Sequence, residues 1–386
     1  MHIEITADPW NDPRAHIDEL LRFGAPARLP EGFGRLDDHG RLISTQPEVM
    51  ITARMGISFA VGSILLGDGE YGLLARHAVD HLAHTLSTTI SGYDLCFTVT
   101  AAAAASEAGV RGADPLLDQA IERWRQRFLI SPDHVRYLAS DTEDYIGANV
   151  NMHAVEAMLA VDHLRPGQGW VDRALEITNT FVNVAARDAD WMLPEHFTAD
   201  LTPLPDFNQD RPLDEFRPYG VTPGHQLEWS RLLTELRLAL GTNAPDWLTD
   251  AAAGLFTAAQ RGYRDGWGFV YTVTPDGRPL SDIRLHWVHL EAVAAAAVLS
   301  AAGVAEATRR LGAYRRLAAE LFLDPVQGSW HHEVGADGLP ASTLFSGKPD
   351  IYHAIQGVLI QAIPTGQSLA QRAATLATAS EDCSEY

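Results

Sequence analysis

Two stretches decide the fold: Trp267-Gly-Phe-Val-Tyr-Thr-Val-Thr-Pro-Asp276-Gly277-Arg-Pro279 and Trp330-His-His-Glu-Val-Gly-Ala-Asp337-Gly338-Leu-Pro340. Each reads as a short strand, a tight Asp-Gly turn and a return strand. The two Asp-Gly turns lie 61 residues apart, at 276 and 337. Weaker versions of the pattern occur at 33–42 and 196–204. A unit of two helices and one hairpin, about sixty residues long, would fit this chain about six times.

Outside the hairpins the dominant period is helical. Ala-rich amphipathic stretches recur near 12–23, 47–66, 70–90, 94–109, 114–129, 149–163, 169–188, 223–241, 246–264, 284–302, 305–323 and 350–363. Thr45-Gln46-Pro47, Thr222-Pro223 and Lys348-Pro349-Asp350 put a proline near a helix start, where its missing N–H costs little. Six helical hairpins closed into a ring make an α/α toroid, an (α/α)6 barrel. Its inner helices surround a pit, and its β-hairpins gather at one rim. The expected class is therefore all-α. An open solenoid would need polar capping repeats, and no distinct caps are visible. No Pro-, Gly- or Ser-rich linker divides the chain, so residues 1–364 read as one catalytic domain. Residues 365–386 are small and polar and read as a flexible tail.

Composition narrows the function. The chain has 386 residues, 46% of them hydrophobic and 20% charged, as expected of a packed enzyme. Its formal charge of −21 repels phosphate backbones and anionic lipid, so neither nucleic acid nor a membrane surface is expected as a partner. Apolar runs such as 99–105 and 292–299 are far shorter than the roughly 20 residues that span a bilayer. The start Met-His-Ile-Glu has no basic segment followed by an apolar block, so no secretory signal is expected. Cys96 and Cys383 are the only thiols and fit a reducing cytoplasm.

Three histidines share a placement. His153, His225 and His353 each fall in the first turn or so of a predicted helix. A helix amino terminus disfavours imidazolium, so these rings should be neutral proton acceptors, the state a general base requires. Glu228 is three residues beyond His225 on the same face and could orient it. Trp287 and Glu291 share a face at a spacing of four, as an aromatic floor beside a carboxylate would. Arg54 sits in the apolar helix Ile51-Thr-Ala-Arg-Met-Gly-Ile-Ser-Phe and must meet a polar substrate or an internal carboxylate.

Other candidates carry less. His331-His332-Glu333 looks like a metal site but alternates on a strand, and it reads as surface. His77, His81 and His84 follow a charged surface pattern. No short two-ligand motif supports zinc on His153, His225, Glu228 and His353. Nucleotide-binding glycine loops and a Gly-x-Ser-x-Gly elbow are both missing. No metal or other cofactor is expected.

Taken together, these residues resemble the N-acylglucosamine 2-epimerase family over nearly the whole chain, from Arg54 to His353. The most specific segments are Asn149-Val-Asn-Met-His153-Ala-Val-Glu156-Ala, Glu195-His-Phe197, Pro223-Gly-His225-Gln-Leu-Glu228-Trp229, Trp287 with Glu291, and Gly347-Lys-Pro-Asp-Ile-Tyr-His353. The family fold is an (α/α)6 barrel. The resemblance implies that His225 and His353 are the acid/base pair at a sugar C2 and that Glu228 supports His225. It further implies that Arg54 and His153 bind sugar oxygens, and that Asn149, Trp287 and Glu291 line the pit. Ile146, before Gly147, departs from the arginine of many relatives.

Proton transfer at a carbon next to a carbonyl has two outcomes here. One base returning the proton to C1 gives an aldose–ketose isomerase; a second base on the opposite face of C2 gives a 2-epimerase. The short loops and the 347–353 segment resemble the isomerase branch, so the expected reaction is D-mannose to D-fructose. The alternatives are a mannose/glucose, N-acylglucosamine or cellobiose 2-epimerase, or a sulfoquinovose isomerase. From other classes come an α/α-barrel glycoside hydrolase using Glu228 and Glu291, and a non-catalytic sugar-binding toroid. Either a monomer or a homodimer is compatible with the sequence.

Overall fold

The computed structural model describes residues 8–128, 144–366 and 368–381. In chain order its helices are α1 (Pro13–Gly24), α2 (Val49–Leu66), α3 (Gly69–Thr85), α4 (Gly92–Glu107), α5 (Ala113–Phe128), α6 (Ala148–Asp162), α7 (Trp170–Thr178), α8 (Pro223–Leu240), α9 (Trp247–Ala259), α10 (His286–Ala301), α11 (Ala305–Phe322), α12 (Tyr352–Ala362) and α13 (Leu369–Glu381). A π-helical segment, Asn179–Ala186, continues α7.

The even-numbered helices form the inner ring. Each of α2, α4, α6, α8 and α10 packs on the next, and α12 returns to α2. Each inner helix also packs on the odd-numbered helix that follows it. Sequence explains this division. Inner helices are apolar nearly all round, as in Ala101 to Ala105 of α4 and Ala294 to Ala297 of α10, because they are covered on both sides. Outer helices such as α11 bury one stripe, including Ala307, Tyr314, Ala318 and Phe322, and leave their charges outside. Alone among the described helices, α2 is long and apolar enough to cross a membrane. It lies packed among α1, α3, α4 and α13.

Three starts can be compared with expectation. Pro223 occupies the first helical position of α8, as the sequence predicts. Pro47 and Pro349 instead lie just outside their helices, which begin at Val49 and Tyr352.

The hairpins differ from their expected form. β4 (Gly268–Phe269) pairs backward with β3 (Tyr263–Arg264), and β7 (Ser329–Trp330) pairs backward with β6 (Leu323–Asp324). The Asp-Gly turns survive as isolated bridges, Val273 with Pro279 and Val334 with Pro340. Longer pairing stops because each strand must serve other partners: β8 (Glu333–Val334) pairs with β5 (Arg284–Leu285), and Val273 also bridges Val221. β1 (Ile146–Gly147) pairs with β2 (His196–Phe197) across the same rim.

The expected flexible tail is corrected over Leu369–Glu381. These residues form α13, which packs against α2, α4 and α12. Ala370, Arg372 and Ala373 are buried, and the Arg372 guanidinium bonds Glu235 Oε1 at 2.6 Å and the Ile363 carbonyl at 3.0 Å. The polar composition hid one inward-facing cation with a carboxylate waiting for it. Cys96 is a buried free thiol, whereas Cys383 lies outside the described residues.

Candidate active site

All six inner helices begin at one pit. Its wall takes Arg54 from α2, Tyr93 from α4, Asn149 and His153 from α6, His225 and Glu228 from α8, His286 and Trp287 from α10, and His353 from α12. Each comes from the first two turns of its helix, so the positive ends of six helix dipoles converge there. The inner hollow has a volume of about 60 Å³, room for roughly five waters. It opens outward into a vestibule of about 740 Å³ lined by Arg35, Tyr93, Asn149, Arg211, Phe216 and Arg217.

His225 and His353 both lie against the Trp287 indole. Their ring centroids are 5.3 and 5.9 Å from it, each tilted by 35°. The close approach depends on Gly224, where a Cβ would come within 2.4 Å of Trp287.

Each imidazole is held through Nδ1. In His225, Nδ1 lies 3.0 Å from both oxygens of Glu195, so it donates to that carboxylate and leaves Nε2 for a substrate. His353 Nδ1 donates to Gln356 Oε1 at 3.1 Å. Burial first, then the Arg54 charge and neighbouring histidines, holds His353 well below the usual imidazole range. His153 falls in the second turn of α6 and donates through Nδ1 to Glu156 Oε2 at 3.1 Å. Burial lowers its pKa as well.

Arg54 meets the internal carboxylate that its apolar helix calls for. It donates to Asp350 Oδ2 at 3.1 Å and to the Tyr93 hydroxyl at 2.9 Å, yet it still lines the pit. Asn149 Oδ1 is buried without a hydrogen-bond partner beside the pit, ready for a hydroxyl.

Glu228 and Glu291 differ from expectation. The partner of His225 is Glu195, thirty residues earlier, and not Glu228. Glu228 Oε1 instead lies 3.9 Å from His153 Nδ1 and 3.5 Å from Arg231. Burial, reinforced by the charges of Glu291 and Glu156, raises its pKa well above the usual carboxylate range. Glu291 lies beneath the pit, gripped by Arg231 at 3.0 and 3.4 Å.

His153, Glu156 and Glu228 bring three ligand atoms within 4.8 Å of one another. Arg231 already supplies the positive charge there, 3.6 Å from Glu156 and 3.5 Å from Glu228.

The surface reading of His331-His332-Glu333 is corrected for two of its three members. His332 is buried on the pit wall, its Nε2 3.0 Å from the Asp350 carbonyl, and its ring packs 3.9 Å from that of His286. Burial drives His332 down to about 3. Glu333, on the opposite strand face, accepts the backbone N–H groups of Thr343, Leu344 and Phe345. Likewise His81 is buried, although its pattern reads as surface.

A closed ring of helices around a histidine-lined pit defines an α/α-toroid enzyme. The N-acylglucosamine 2-epimerase (GlcNAc 2-epimerase) sequence profile matches residues 32–357, and the chain belongs to that family. It is 39% identical to a D-mannose isomerase of Thermobifida fusca, over 95% of this chain and 97% of that one. It is 36% identical to a D-mannose isomerase of Pseudomonas cannabina pv. alisalensis, over 92% and 93%. A crystal structure of a D-mannose isomerase superposes with a TM-score of 0.81 at 23% identity, covering 91% of this chain and 97% of that one.

Proposed function

We propose that this protein is a cofactor-independent aldose–ketose isomerase that interconverts D-mannose and D-fructose. One observation carries the reading: two imidazoles pack against one indole in a small pit, each with Nδ1 engaged and Nε2 free. The names and high coverage of the relatives support mannose as the sugar.

In this reading His353 is the base. Its partner is a neutral amide and its surroundings are positive, so the ring is unprotonated and Nε2 can take the C2 proton of the open-chain aldose. The C2–H electron pair becomes the C1–C2 double bond, and the aldehyde oxygen takes up the negative charge. Arg54 and the converging helix amino termini stabilise that charge. His225 moves the hydroxyl proton from O2 to O1, with Glu195 balancing the charge the ring gains in transit. The same His353 then delivers its proton to C1. Every proton removed is returned, so no external oxidant is required.

A 2-epimerase is the second reading, because a second imidazole packed on the same indole could protonate the other face of C2. A screen of mannose, lyxose, glucose, N-acetylglucosamine, cellobiose and sulfoquinovose tests both. Fructose from mannose is the expected product; glucose without fructose would replace this reading with the epimerase. We take the whole ring, α13 included, as one catalytic unit. The buried free thiol of Cys96 supports placing it in a reducing cytoplasm.

A further inference from the structure

Glu156 on α6 is partly buried against α8 and α12 and takes no part in the proton transfers described above. Its two oxygens serve different histidines. Oε2 accepts from His153 Nδ1 at 3.1 Å. Oε1 accepts from Gln356 Nε2 at 2.9 Å and from the Tyr352 hydroxyl at 3.4 Å, with Arg231 at 3.6 Å. The amide oxygen of Gln356 in turn lies 3.1 Å from His353 Nδ1.

These contacts admit one proton arrangement. Burial alone would push Glu156 up, but the His153 hydrogen bond and the Arg231 charge outweigh it and hold the carboxyl below its usual range. An ionised carboxylate only accepts, so the Gln356 NH2 must face it and the Gln356 oxygen must face the imidazole. The His353 proton is then fixed on Nδ1. By the same logic His153 also carries its proton on Nδ1.

We infer that Glu156 and Gln356 are positioning residues, a partly buried carboxylate and an amide relay that together set the tautomers of two pit histidines. The choice of an amide next to His353 has a chemical purpose. A carboxylate in that place would favour imidazolium and spoil the base, whereas an amide oxygen orients the ring and leaves it neutral. His225, which handles hydroxyl protons, has the carboxylate partner instead.

The other charged and titratable groups that face His353 are Arg54 of α2, His153 of α6, His286 and Glu291 of α10, and His332 beside β8. Glu291 Oε1 is 4.0 Å from Nδ1, while the Glu291 carboxyl is held by Arg231 at 3.0 Å. Tyr352 and Asp350 belong to the same segment as His353. None of these contacts replaces the Gln356 oxygen at Nδ1.

This inference rests on the isomerase reading for its kinetics but not for its structural readout. Nitrogen-15 NMR of histidine-labelled wild-type protein should show the Nδ1–H tautomer at His353 and His153 through neutral pH. The Nε2–H tautomer at His353 would overturn the inference, whether or not any sugar turns over. The double variant Glu156→Gln/Gln356→Glu keeps the atom count and charge but moves the carboxylate to His353. It should shift the acidic limb of kcat upward by about one pH unit or more, with KM changed less than threefold. Gln356→Met, which removes the acceptor, should lower kcat at least about 10-fold and mix the tautomers. An unmoved acidic limb together with an unmixed His353 tautomer would overturn the inference while leaving the isomerase reading intact. Absence of turnover on every aldose in the wild type would instead remove that reading alone.

Discussion

Glu195 holds His225 with both carboxylate oxygens, each 3.0 Å from Nδ1, and its Oε1 also accepts the Thr222 backbone N–H at 3.2 Å. The carboxylate therefore fixes the imidazole and the first turn of α8 together. Glu195→Gln should lower kcat at least about 10²-fold while the far-UV circular dichroism stays unchanged. A rate within threefold of wild type would show that His225 needs no carboxylate.

His225→Ala and His353→Ala should each lose at least about 10²-fold in kcat on mannose without unfolding. Survival of either activity would remove that ring from the acid/base pair. Hydrolysis of an oligosaccharide by His353→Ala would favour a glycosidase.

Gly224→Ala sets two effects against each other. Alanine is the better helix former by about 1 kcal/mol. Its Cβ, however, would come within 2.4 Å of the Trp287 ring and displace the indole against which both histidines pack. Displacement should win where function is concerned: kcat falls at least about 10-fold, and tryptophan fluorescence changes. Full activity would mean that the indole has slack.

Among the described residues, nine histidines are held below their usual pKa: His16, His81, His153, His196, His286, His289, His331, His332 and His353. In the unfolded chain each takes a proton near pH 6.5; in the fold His16 and His289 wait until about 4 and His332 until about 3. The unfolded state thus binds more protons over that window, and stability must fall as pH drops from about 6.5 toward 4. Asp94, Asp162, Glu215, Glu228 and Glu291 have raised pKa values and partly oppose this, since the fold takes their protons first. Urea titrations between pH 7.5 and 4.5 should show the net loss. A flat or rising stability on acidification would contradict the neutral-histidine picture.

Arg372→Ala should cost about 3–5 kcal/mol, because it strands Glu235 in a buried floor where Arg231 is already shared among four carboxylates. A cost below 1 kcal/mol by urea denaturation would mean that α13 is a dispensable cover.

The sequence carried the ring more readily than the site. Twelve helices were visible because apolar period survives in any packing, and Pro223 marked a start. α13 was not, since its polar face gives a weak signal and Arg372 reads as solvated unless Glu235 is known to face it. His225 and His353 were legible from their helix starts. Their partners divide by distance: Gln356 lies one turn from His353, while Glu195 reaches His225 only after the chain crosses β2 and a long loop. Glu228 has the right helical spacing, but Arg231 and His153 draw it inward. His332 departs from its surface pattern because strand alternation separates two faces without saying which is wet; here its face belongs to the pit.

Incubation of the protein with D-mannose in D2O, followed by proton and deuterium NMR, bears most directly on the central assignment. One imidazole carrying hydrogen from C2 to C1 should yield fructose with deuterium at one C1 position only, in proportion to exchange on the ring. Glucose labelled at C2 with no fructose formed, or fructose labelled equally at both C1 positions, would contradict it.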